Sequence, residues 1–291
     1  MRSLLFVPGD DERKIAKGLA SAADALILDL EDAVAPQRKA AARELCAATL
    51  ASANARMKLF VRINALDTPA ALLDLAAVVK ARPFGIMLPK CRSGEDARLV
   101  SHYLTALEAR EGLSVGDIRI LPIVTETGGS MFGFGGTGSY DNPPIPRLYG
   151  MLWGGEDLAA DLGAISNRDD DGRYAAPYLL ARSLCLFAAA ASSAIAVDAV
   201  YTNFRDPAGL KQEAIAGLRS GFSAKAAIHP DQISVINEAF TPTVADIEAA
   251  QQVIAAFDAA PGAGVVSVGG KMLDRPHYRT AQRVLARAAG A

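Results

Sequence analysis

The sequence has few of the residues that staple small or extracellular proteins. Only three cysteines occur in 291 residues, Cys46, Cys91 and Cys185, and no two of them form a C-x-x-C pair. An odd number of widely spaced thiols predicts neither a disulfide framework nor a thiolate zinc site, and it is typical of the reducing cytoplasm. The three histidines lack the H-x-x-x-H spacing of a metal site, so zinc is not expected.

The chain also lacks a strong charge of either sign and a long apolar run. Thirty lysines and arginines oppose 32 aspartates and glutamates, which gives a net charge of −2. No global positive field is available to attract nucleic acid or an anionic membrane, so neither is an expected partner. Every apolar run ends well short of the roughly 20 residues that span a bilayer. The first run, Leu4–Gly9, is too short for the core of a signal peptide.

What the sequence does contain is an alternation of short β-type runs with Ala-rich amphipathic segments of helical length. This alternation is the pattern of repeated βα units around a buried parallel sheet. Eight β-type runs can be counted, at 4–7, 25–30, 59–63, 85–88, 118–124, 148–153, 194–199 and 226–228. Eight such units over about 230 residues match a (β/α)8 TIM barrel, which belongs to the α/β fold class.

Two segments exceed a minimal barrel. Residues 128–146 are rich in glycine and proline and are predicted to form a mobile loop after the fifth strand. A catalytic barrel is assigned to residues 1–243, and residues 244–291 are assigned to a C-terminal helical extension. Within the extension, helices are predicted at 244–259 and 276–288 around a glycine-bounded turn region at 261–270. The glycines favour a hinge, so we expect the extension to act as a lid.

Barrel active sites form at the carboxyl ends of the strands, where few polar residues stand here. Along the chain they are Asp29, Glu31, Asp32, Arg62, Asn64, Lys90, Glu126, Glu156, Asp157 and His229. Glu126 and Asp157 follow neighbouring strands, and glycines beside Asp157 leave room for a ligand. Two carboxylates, together with waters and substrate oxygens, are the usual way to hold Mg²⁺. The alternative is that Asp157 only caps the following helix.

Arg62 ends an otherwise apolar strand, which directs its guanidinium at the mouth of the barrel. There it is suited to bind a carboxylate or to stabilise an oxyanion. The alternative is an internal ion pair with the acidic segment at 29–32, and both roles can hold at once. The carboxylates of that segment alternate in direction and cannot all face one ion, so we expect them to support the site rather than to bind a metal.

Six short motifs occur in order along nearly the whole chain. They are RSLLFVPG at 2–9, LDLEDAV at 28–34, VRIN at 61–64, GEDL at 155–158, IHP at 228–230 and DRPHY at 274–278. Together they resemble the citrate lyase β-subunit-like family of the aldolase/citrate lyase superfamily. The resemblance implies a Mg²⁺-dependent TIM barrel that acts on acyl thioesters of coenzyme A. It also implies a homotrimer or hexamer with active sites near subunit interfaces.

Carried over by position, the resemblance implies that Glu126 and Asp157 bind Mg²⁺ and that Arg62 binds substrate. Asp274 is similar to an aspartate that malyl-CoA and citramalyl-CoA lyases place over a neighbouring subunit's active site. The basic candidates for the CoA phosphates are Arg2, Lys271, Arg275 and Arg279, with a solvated basic face as the alternative. The segment after Glu126, at 127–136, is longer and richer in glycine than is usual in the family, which leaves specificity open.

The implied reaction is cleavage of a 3-hydroxy-3-carboxy acyl-CoA to acetyl-CoA and a 2-oxo acid. Glu126, through the metal, and Arg62 would meet the substrate, and Arg62 would stabilise the enolate. Asp274 would exchange a proton with the enol. The open alternatives are a malyl-CoA thioesterase, a non-catalytic acyl-CoA-binding relative, and the β-subunit of a multi-subunit citrate lyase acting on an acyl-carrier thioester. The expected location is the cytoplasm.

Overall fold

The computed structural model describes residues 1–52 and 57–290. These described residues form ten strands, β1 (Ser3–Pro8), β2 (Ala25–Asp29), β3 (Lys58–Arg62), β4 (Gly85–Leu88), β5 (Arg119–Pro122), β6 (Gly150–Leu152), β7 (Ile195–Asp198), β8 (Ala224–Ala227), β9 (Val265–Val268) and β10 (Lys271–Asp274). The described residues also form ten α-helices, α1 (Glu12–Leu19), α2 (Lys39–Ser52), α3 (Ala70–Val78), α4 (Gly94–Arg110), α5 (Gly155–Asp161), α6 (Ala176–Ala191), α7 (Pro207–Ser220), α8 (Gln232–Phe240), α9 (Val244–Asp258) and α10 (Arg275–Ala289). Within the described ranges, no helix is both long and apolar enough to cross a membrane.

The first eight strands form one parallel sheet in the order β5-β4-β3-β2-β1-β8-β7-β6. Its two edges, at β5 and β6, are joined by two isolated parallel bridges, Ile120 to Leu148 and Ile123 to Leu152. The sheet is therefore a nearly closed barrel with helices around it, and the predicted TIM barrel is confirmed. Each of the eight strands overlaps its predicted run. The last, β8, begins two residues earlier than predicted and includes the buried Lys225.

Alternate residues of the strands fill two separate cores. In β2, Ile27 faces the barrel interior with Phe60 and Leu121, whereas Leu26 and Leu28 pack outward against the helices. A strand buried on both faces reads as a continuous apolar run, as these strands do. Three aromatic side chains fill the amino-terminal end of the barrel interior. The ring centroids of Phe60, Phe84 and Tyr149 lie 5.0 to 5.9 Å apart. The carboxyl end, in contrast, holds a cavity.

The glycine-rich segment after β5 is held in place by specific contacts. The guanidinium of Arg98, on α4, donates to the backbone carbonyls of Thr137, Ser139 and Pro143 at 2.6 to 3.0 Å. A Cβ on Gly133 would lie 1.8 Å from a backbone oxygen of the chain before α4. The absence of a side chain at Gly133 therefore allows close backbone packing. The mobility of this loop stays a prediction.

The extension is a helix, a hairpin and a second helix. Its predicted helices are confirmed as α9 and α10, but the predicted turn region at 261–270 contains β9, paired antiparallel with β10. The turn residues Gly269 and Gly270 have φ values of 56° and 77°, as a two-residue type I′ hairpin requires. Every hydrogen bond and ion pair of the described residues from 244 to 290 stays within the segment 243–290. Ala291 lies outside the described residues, and the domain boundary at 243/244 stays a prediction.

Candidate active site

A cavity of about 290 Å³ lies at the carboxyl ends of the barrel strands. Its polar lining comes from Asp29, Arg62, Glu126, Glu156 and Asp157, and much of its remaining wall is apolar, with Phe6, Ile123, Leu152, Trp153 and Val200. The structure thus brings together the three residues, on β3 and after β5 and β6, that the sequence singled out for a ligand. An apolar cavity with a few convergent polar groups is the usual form of a small-molecule site.

Arg62 is held rigidly from behind by two carboxylates. Its Nε and Nη2 donate to the two oxygens of Asp29 at 2.7 and 2.6 Å, and its Nη1 lies 3.1 Å from Glu31 Oε2. Burial disfavours the charged guanidinium, but the hydrogen bonds and charges of Asp29 and Glu31 outweigh it and raise the pKa of Arg62. The predicted internal ion pair is therefore present, and the same side chain lines the cavity.

In the acidic segment at 29–32, two carboxylates contact Arg62 and the third is exposed to solvent. Asp29 also accepts the backbone N–H groups of Glu31 at 2.8 Å and Ala33 at 3.2 Å. Glu31 is buried and lies 2.5 Å from the Nζ of Lys90, and burial raises its pKa despite the nearby cations. The side chain of Asp32 is 59% exposed. As expected, the three carboxylates do not face one ion, because two of them bind Arg62.

Glu126 is a carboxylate in a buried, negatively charged setting. It is only 2% exposed, and its Oε2 accepts the backbone N–H of Lys90. Burial, together with the charge of Asp157, raises the pKa of Glu126 to about 8. The absence of a side chain at Gly154 makes this position possible, because a Cβ there would lie 2.6 Å from Glu126 Cγ. A cation between the carboxylates would relieve the unfavourable burial of negative charge.

Asp157 lies in the first turn of α5 and does not cap the helix. The N-cap position is taken by Gly154, and no side chain caps this helix end. The alternative interpretation of Asp157 as a helix cap is therefore wrong. Its side chain is 35% exposed at the cavity, and its Oδ1 lies 3.5 Å from the Nζ of Lys90. The adjacent Glu156 instead accepts a hydrogen bond of 2.8 Å from Asn167.

The donor set at this place suits a hard divalent cation. Within residues 1–52 and 57–290, no three His, Cys, Asp or Glu side chains lie close enough together to enclose a metal. Mg²⁺ keeps most of its waters and usually takes one or two carboxylates with substrate oxygens. Glu126 and Asp157, which open onto a cavity, fit this requirement, whereas zinc prefers nitrogen and sulfur ligands in a closed set.

The structure does not bring Arg2 to the cavity. Arg2 precedes β1, whose six residues extend about 20 Å toward the carboxyl end where the cavity lies. Its guanidinium is bound at 2.9 Å to Asp24 and at 3.0 Å to Thr241. The prediction that Arg2 binds CoA phosphates is therefore corrected for the site of its own subunit, because the residue stands at the opposite end of the barrel.

The candidate residues of the extension also lie outside the cavity of their own chain. Asp274 is the N-cap of α10, is about half exposed, and has its Oδ1 2.6 Å from Nδ1 of His277. The guanidinium of Arg275 packs over the rings of Phe257 and Tyr278, 5.4 and 5.8 Å from their centroids. A role of Asp274 and Arg275 at a neighbouring subunit stays a prediction.

Lys90 also belongs to this site, although the sequence does not indicate a role for it. From the sequence, Lys90 is one of the polar residues that follow a barrel strand. In the structure its backbone contacts Glu126 and its side chain contacts Glu31, Asp32 and Asp157. The available signal was its position directly after a fully buried strand, β4.

Comparisons with known proteins agree with this geometry. The model of the HpcH/HpaI aldolase/citrate lyase family matches residues 2–230. The chain is 38% identical to a (3S)-malyl-CoA thioesterase of Cereibacter sphaeroides strain KD131, over 99% of this chain and 94% of the relative. It is 34% identical to the mitochondrial citramalyl-CoA lyase of Mus musculus, over 98% and 85%. The crystal structure of CitE from Mycobacterium tuberculosis with magnesium, acetoacetate and coenzyme A is similar with a TM-score of 0.77 and 33% identity, over 99% of this chain and 98% of that one.

Proposed function

Because this chain belongs to the HpcH/HpaI aldolase/citrate lyase family, we propose that it is a Mg²⁺-dependent carbon–carbon lyase. Its substrate is a 3-hydroxy-3-carboxy acyl-CoA of the citramalyl, malyl or citryl type, and its products are acetyl-CoA and a 2-oxo acid. The observation that carries this proposal is the buried carboxylate of Glu126, which shares the cavity with Asp157 and the fixed guanidinium of Arg62.

Glu126 and Asp157 are the residues that hold Mg²⁺. A Mg²⁺ ion at such a site supplies Lewis acidity, which lowers the pKa of a hydroxyl group that it contacts. The raised pKa of Glu126 supports this assignment, because burial and the nearby charge of Asp157 disfavour the ionised carboxylate, and a bound cation would favour it. The presence of magnesium in the similar CitE complex points the same way.

Arg62 stabilises negative charge that develops on the thioester oxygen as the carbon–carbon bond breaks. Asp29 accepts hydrogen bonds from two nitrogens of Arg62, and Glu31 lies beside the third. The guanidinium therefore does not have to reorient during the reaction. In a partly dry cavity, a charge that is already oriented stabilises the transition state more strongly than a mobile charge in water does. Both Glu126 and Arg62 therefore contact the substrate, the former through the cation.

Asp274 of a neighbouring subunit exchanges the proton with the enol product. Its exposure and its place outside the cavity of its own chain support such a use, which requires a homotrimer or hexamer. The CoA phosphates are assigned to Arg275 of the same extension, with Lys271 and Arg279 nearby in sequence. A cytoplasmic location is supported by three cysteines that are all buried and free.

Thioester hydrolysis is the second candidate, because the 38% identical relative is named a malyl-CoA thioesterase. The same cation and Arg62 would then activate water against the thioester carbonyl. The two reactions release different products, since only the lyase yields a 2-oxo acid without free thiol and only the hydrolase yields free CoA thiol.

The test is to incubate the full chain with Mg²⁺ and malyl-, citramalyl- or citryl-CoA, and to measure 2-oxo acid and thiol separately. We expect 2-oxo acid from at least one thioester, and loss of that activity in Glu126→Ala and Asp157→Ala proteins that remain folded. Thiol alone would favour the hydrolase. Turnover of none of these CoA thioesters, with turnover of the corresponding acyl-carrier thioester in a second assay, would indicate a citrate lyase β-subunit. Full activity in metal-free protein with excess chelator would contradict the proposal.

A further inference from the structure

Lys90 contacts the site through two different groups. Its backbone N–H donates to Oε2 of Glu126. Its Nζ lies 2.5 Å from Glu31 Oε1 and 3.5 Å from Asp157 Oδ1, with Asp32 Oδ2 at 3.4 Å. Since Glu31 also contacts the guanidinium of Arg62, Lys90 connects both carboxylates of the proposed metal site to the charge that faces the substrate.

The backbone of Lys90 adopts a conformation that normally favours glycine. Its φ is 48°, in the left-handed region, where nine glycines of the described chain also lie. Arg82 and Ser193 share this conformation, but both precede strands at the amino-terminal end of the barrel. Non-glycine residues keep such backbone angles where the surroundings enforce them, often at functional sites. A lysine here, in place of glycine, indicates that the side chain is used.

We propose that Lys90 is a positioning residue of this site and an internal counter-charge for its carboxylates. The backbone N–H orients Glu126, and the ammonium group lies between Glu31 and Asp157, which keeps these side chains in place before a divalent cation arrives. The inference rests on the proposed function, because it takes Glu126 and Asp157 as the cation ligands.

This arrangement has two opposite consequences. A positive charge 3.5 Å from a carboxylate oxygen of Asp157 repels a divalent cation that approaches the same carboxylate, so Lys90 weakens cation binding. The same ammonium holds Glu31, and Glu31 helps to fix Arg62, so Lys90 also supports turnover. If Lys90 served only the stability of the fold, its removal would not strengthen cation binding and lower turnover at the same time.

The decisive variant is Lys90→Met, which removes the ammonium and retains an unbranched side chain. We expect Mg²⁺ to bind roughly tenfold more tightly at low ionic strength, because the competing charge is gone, with a smaller gain in high salt. We expect kcat to fall about tenfold or more, because Arg62 loses part of its support. Isothermal titration calorimetry with Mg²⁺ alone measures the first effect, and steady-state kinetics with saturating Mg²⁺ measures the second.

Two further variants separate the causes. Lys90→Gly also removes the ammonium, but glycine suits the left-handed backbone. This variant should bind Mg²⁺ like Lys90→Met and should unfold at a higher temperature than Lys90→Met. It also carries the test if Lys90→Met does not fold. Lys80→Met is the matched control, because Lys80 lies on the surface in the turn after α3. It should leave the affinity for Mg²⁺ and kcat unchanged.

Unchanged or weaker Mg²⁺ binding in folded Lys90→Met and Lys90→Gly, beside measurable binding in the wild type, would overturn this inference and leave the proposed function standing. Tighter Mg²⁺ binding with undiminished kcat would also overturn it, because the positioning role would be absent. A wild-type protein that binds no Mg²⁺ would overturn both.

Discussion

At the scale of single residues, Arg62 depends on its planar shape. It meets Asp29 with two parallel hydrogen bonds and has a third nitrogen beside Glu31. Lysine keeps the positive charge but cannot form this fork. The orientation of the charge at the cavity, rather than its presence alone, is therefore the property that a substitution removes.

The substitution Arg62→Lys should lower kcat/KM by about an order of magnitude or more, because the ammonium cannot contact Asp29 and the reacting oxygen in the same geometry. Steady-state kinetics on the best thioester substrate measures this effect. Arg43→Lys is a matched control, since Arg43 also pairs with a buried aspartate, Asp74 at 2.7 Å, but does not line the cavity. Near wild-type kinetics in Arg62→Lys would show that the role of Arg62 is structural.

Glu126 makes stability depend on pH. Its pKa is raised to about 8 in the folded chain, above the ordinary value of 4.5, so the folded state holds a proton that the unfolded state has lost. Without added cation, stability from this group is complete below about pH 4.5 and is lost as the pH rises through about 8. Glu126→Gln should therefore gain thermal stability relative to wild type over that range, as measured by cation-free unfolding scans. A constant difference between the two proteins across this pH range would contradict the prediction.

The residues of the site differed in how far they could be predicted. Arg62, Glu126 and Asp157 stand at or shortly after strand ends, and a polar residue that interrupts or follows a continuous apolar run is visible in a sequence. Lys90 stands in the same kind of place, but its connection to Glu126 runs through a backbone N–H in a left-handed conformation. A backbone hydrogen bond does not depend on residue type, and a left-handed conformation is visible in a sequence only where glycine adopts it, so the role of Lys90 could not be predicted.

At the scale of elements, β8 is a strand with a charge in its centre. Lys225 is fully buried, and its Nζ lies 2.9 Å from Glu213, 3.6 Å from Asp198 and 2.7 Å from the carbonyl of Ala199. Burial would raise the pKa of Asp198, but Lys225 and Arg182 outweigh it and lower that pKa. Buried charges that are paired in this way are tolerated because each has several partners.

Replacing Lys225 by methionine should destabilise the fold by about 3 kcal/mol, because the buried Asp198 and the half-buried Glu213 would be left with fewer partners. Urea unfolding measures this free energy. Lys211→Met is the comparison, since Lys211 forms an exposed pair with Glu238 whose loss should cost less than about 1 kcal/mol. Equal and small effects of both substitutions would show that the buried network does not contribute.

The sequence predicts the barrel strands but not the hairpin of the extension. The barrel strands are buried on both faces, so continuous apolar runs located all eight, although Lys225 shortened the last run. The hairpin of β9 and β10 is mostly exposed and shows no alternation of apolar and polar residues. Without that pattern, Gly269 and Gly270 were interpreted as part of a hinge, although consecutive glycines also favour a two-residue β-turn.

At the scale of the whole molecule, the extension differs from the barrel in its contacts. The described residues from 244 to 290 form their hydrogen bonds and ion pairs among themselves and with Thr243. The family model ends at residue 230, before the extension begins. Asp274 and Arg275 therefore stand on a unit that is suited to meet another surface, and in the proposed oligomer this surface is the mouth of a neighbouring barrel.

The substitution Asp274→Asn tests this use of the extension. Asparagine is a good N-cap, so α10 should still begin at the same place, and binding of Mg²⁺ should be unchanged. Turnover should be suppressed, because an amide cannot exchange the proton. Kinetics and calorimetry on the same protein separate these two results. Loss of Mg²⁺ binding would instead mean that the substitution disturbs the barrel.

Mixing two inactive variants then decides which barrel the extension serves. Asp274→Asn has an intact barrel, and Glu126→Ala has an intact extension. If sites form between subunits of a trimer, random exchange in equal amounts should create intact combinations at about one quarter of the sites. Activity should then rise from near zero toward about one quarter of that of the wild type, because each active site needs a barrel from one variant and an aspartate from the other. Mixed oligomers, demonstrated by mass spectrometry, that remain inactive would mean that the extension serves its own barrel or none.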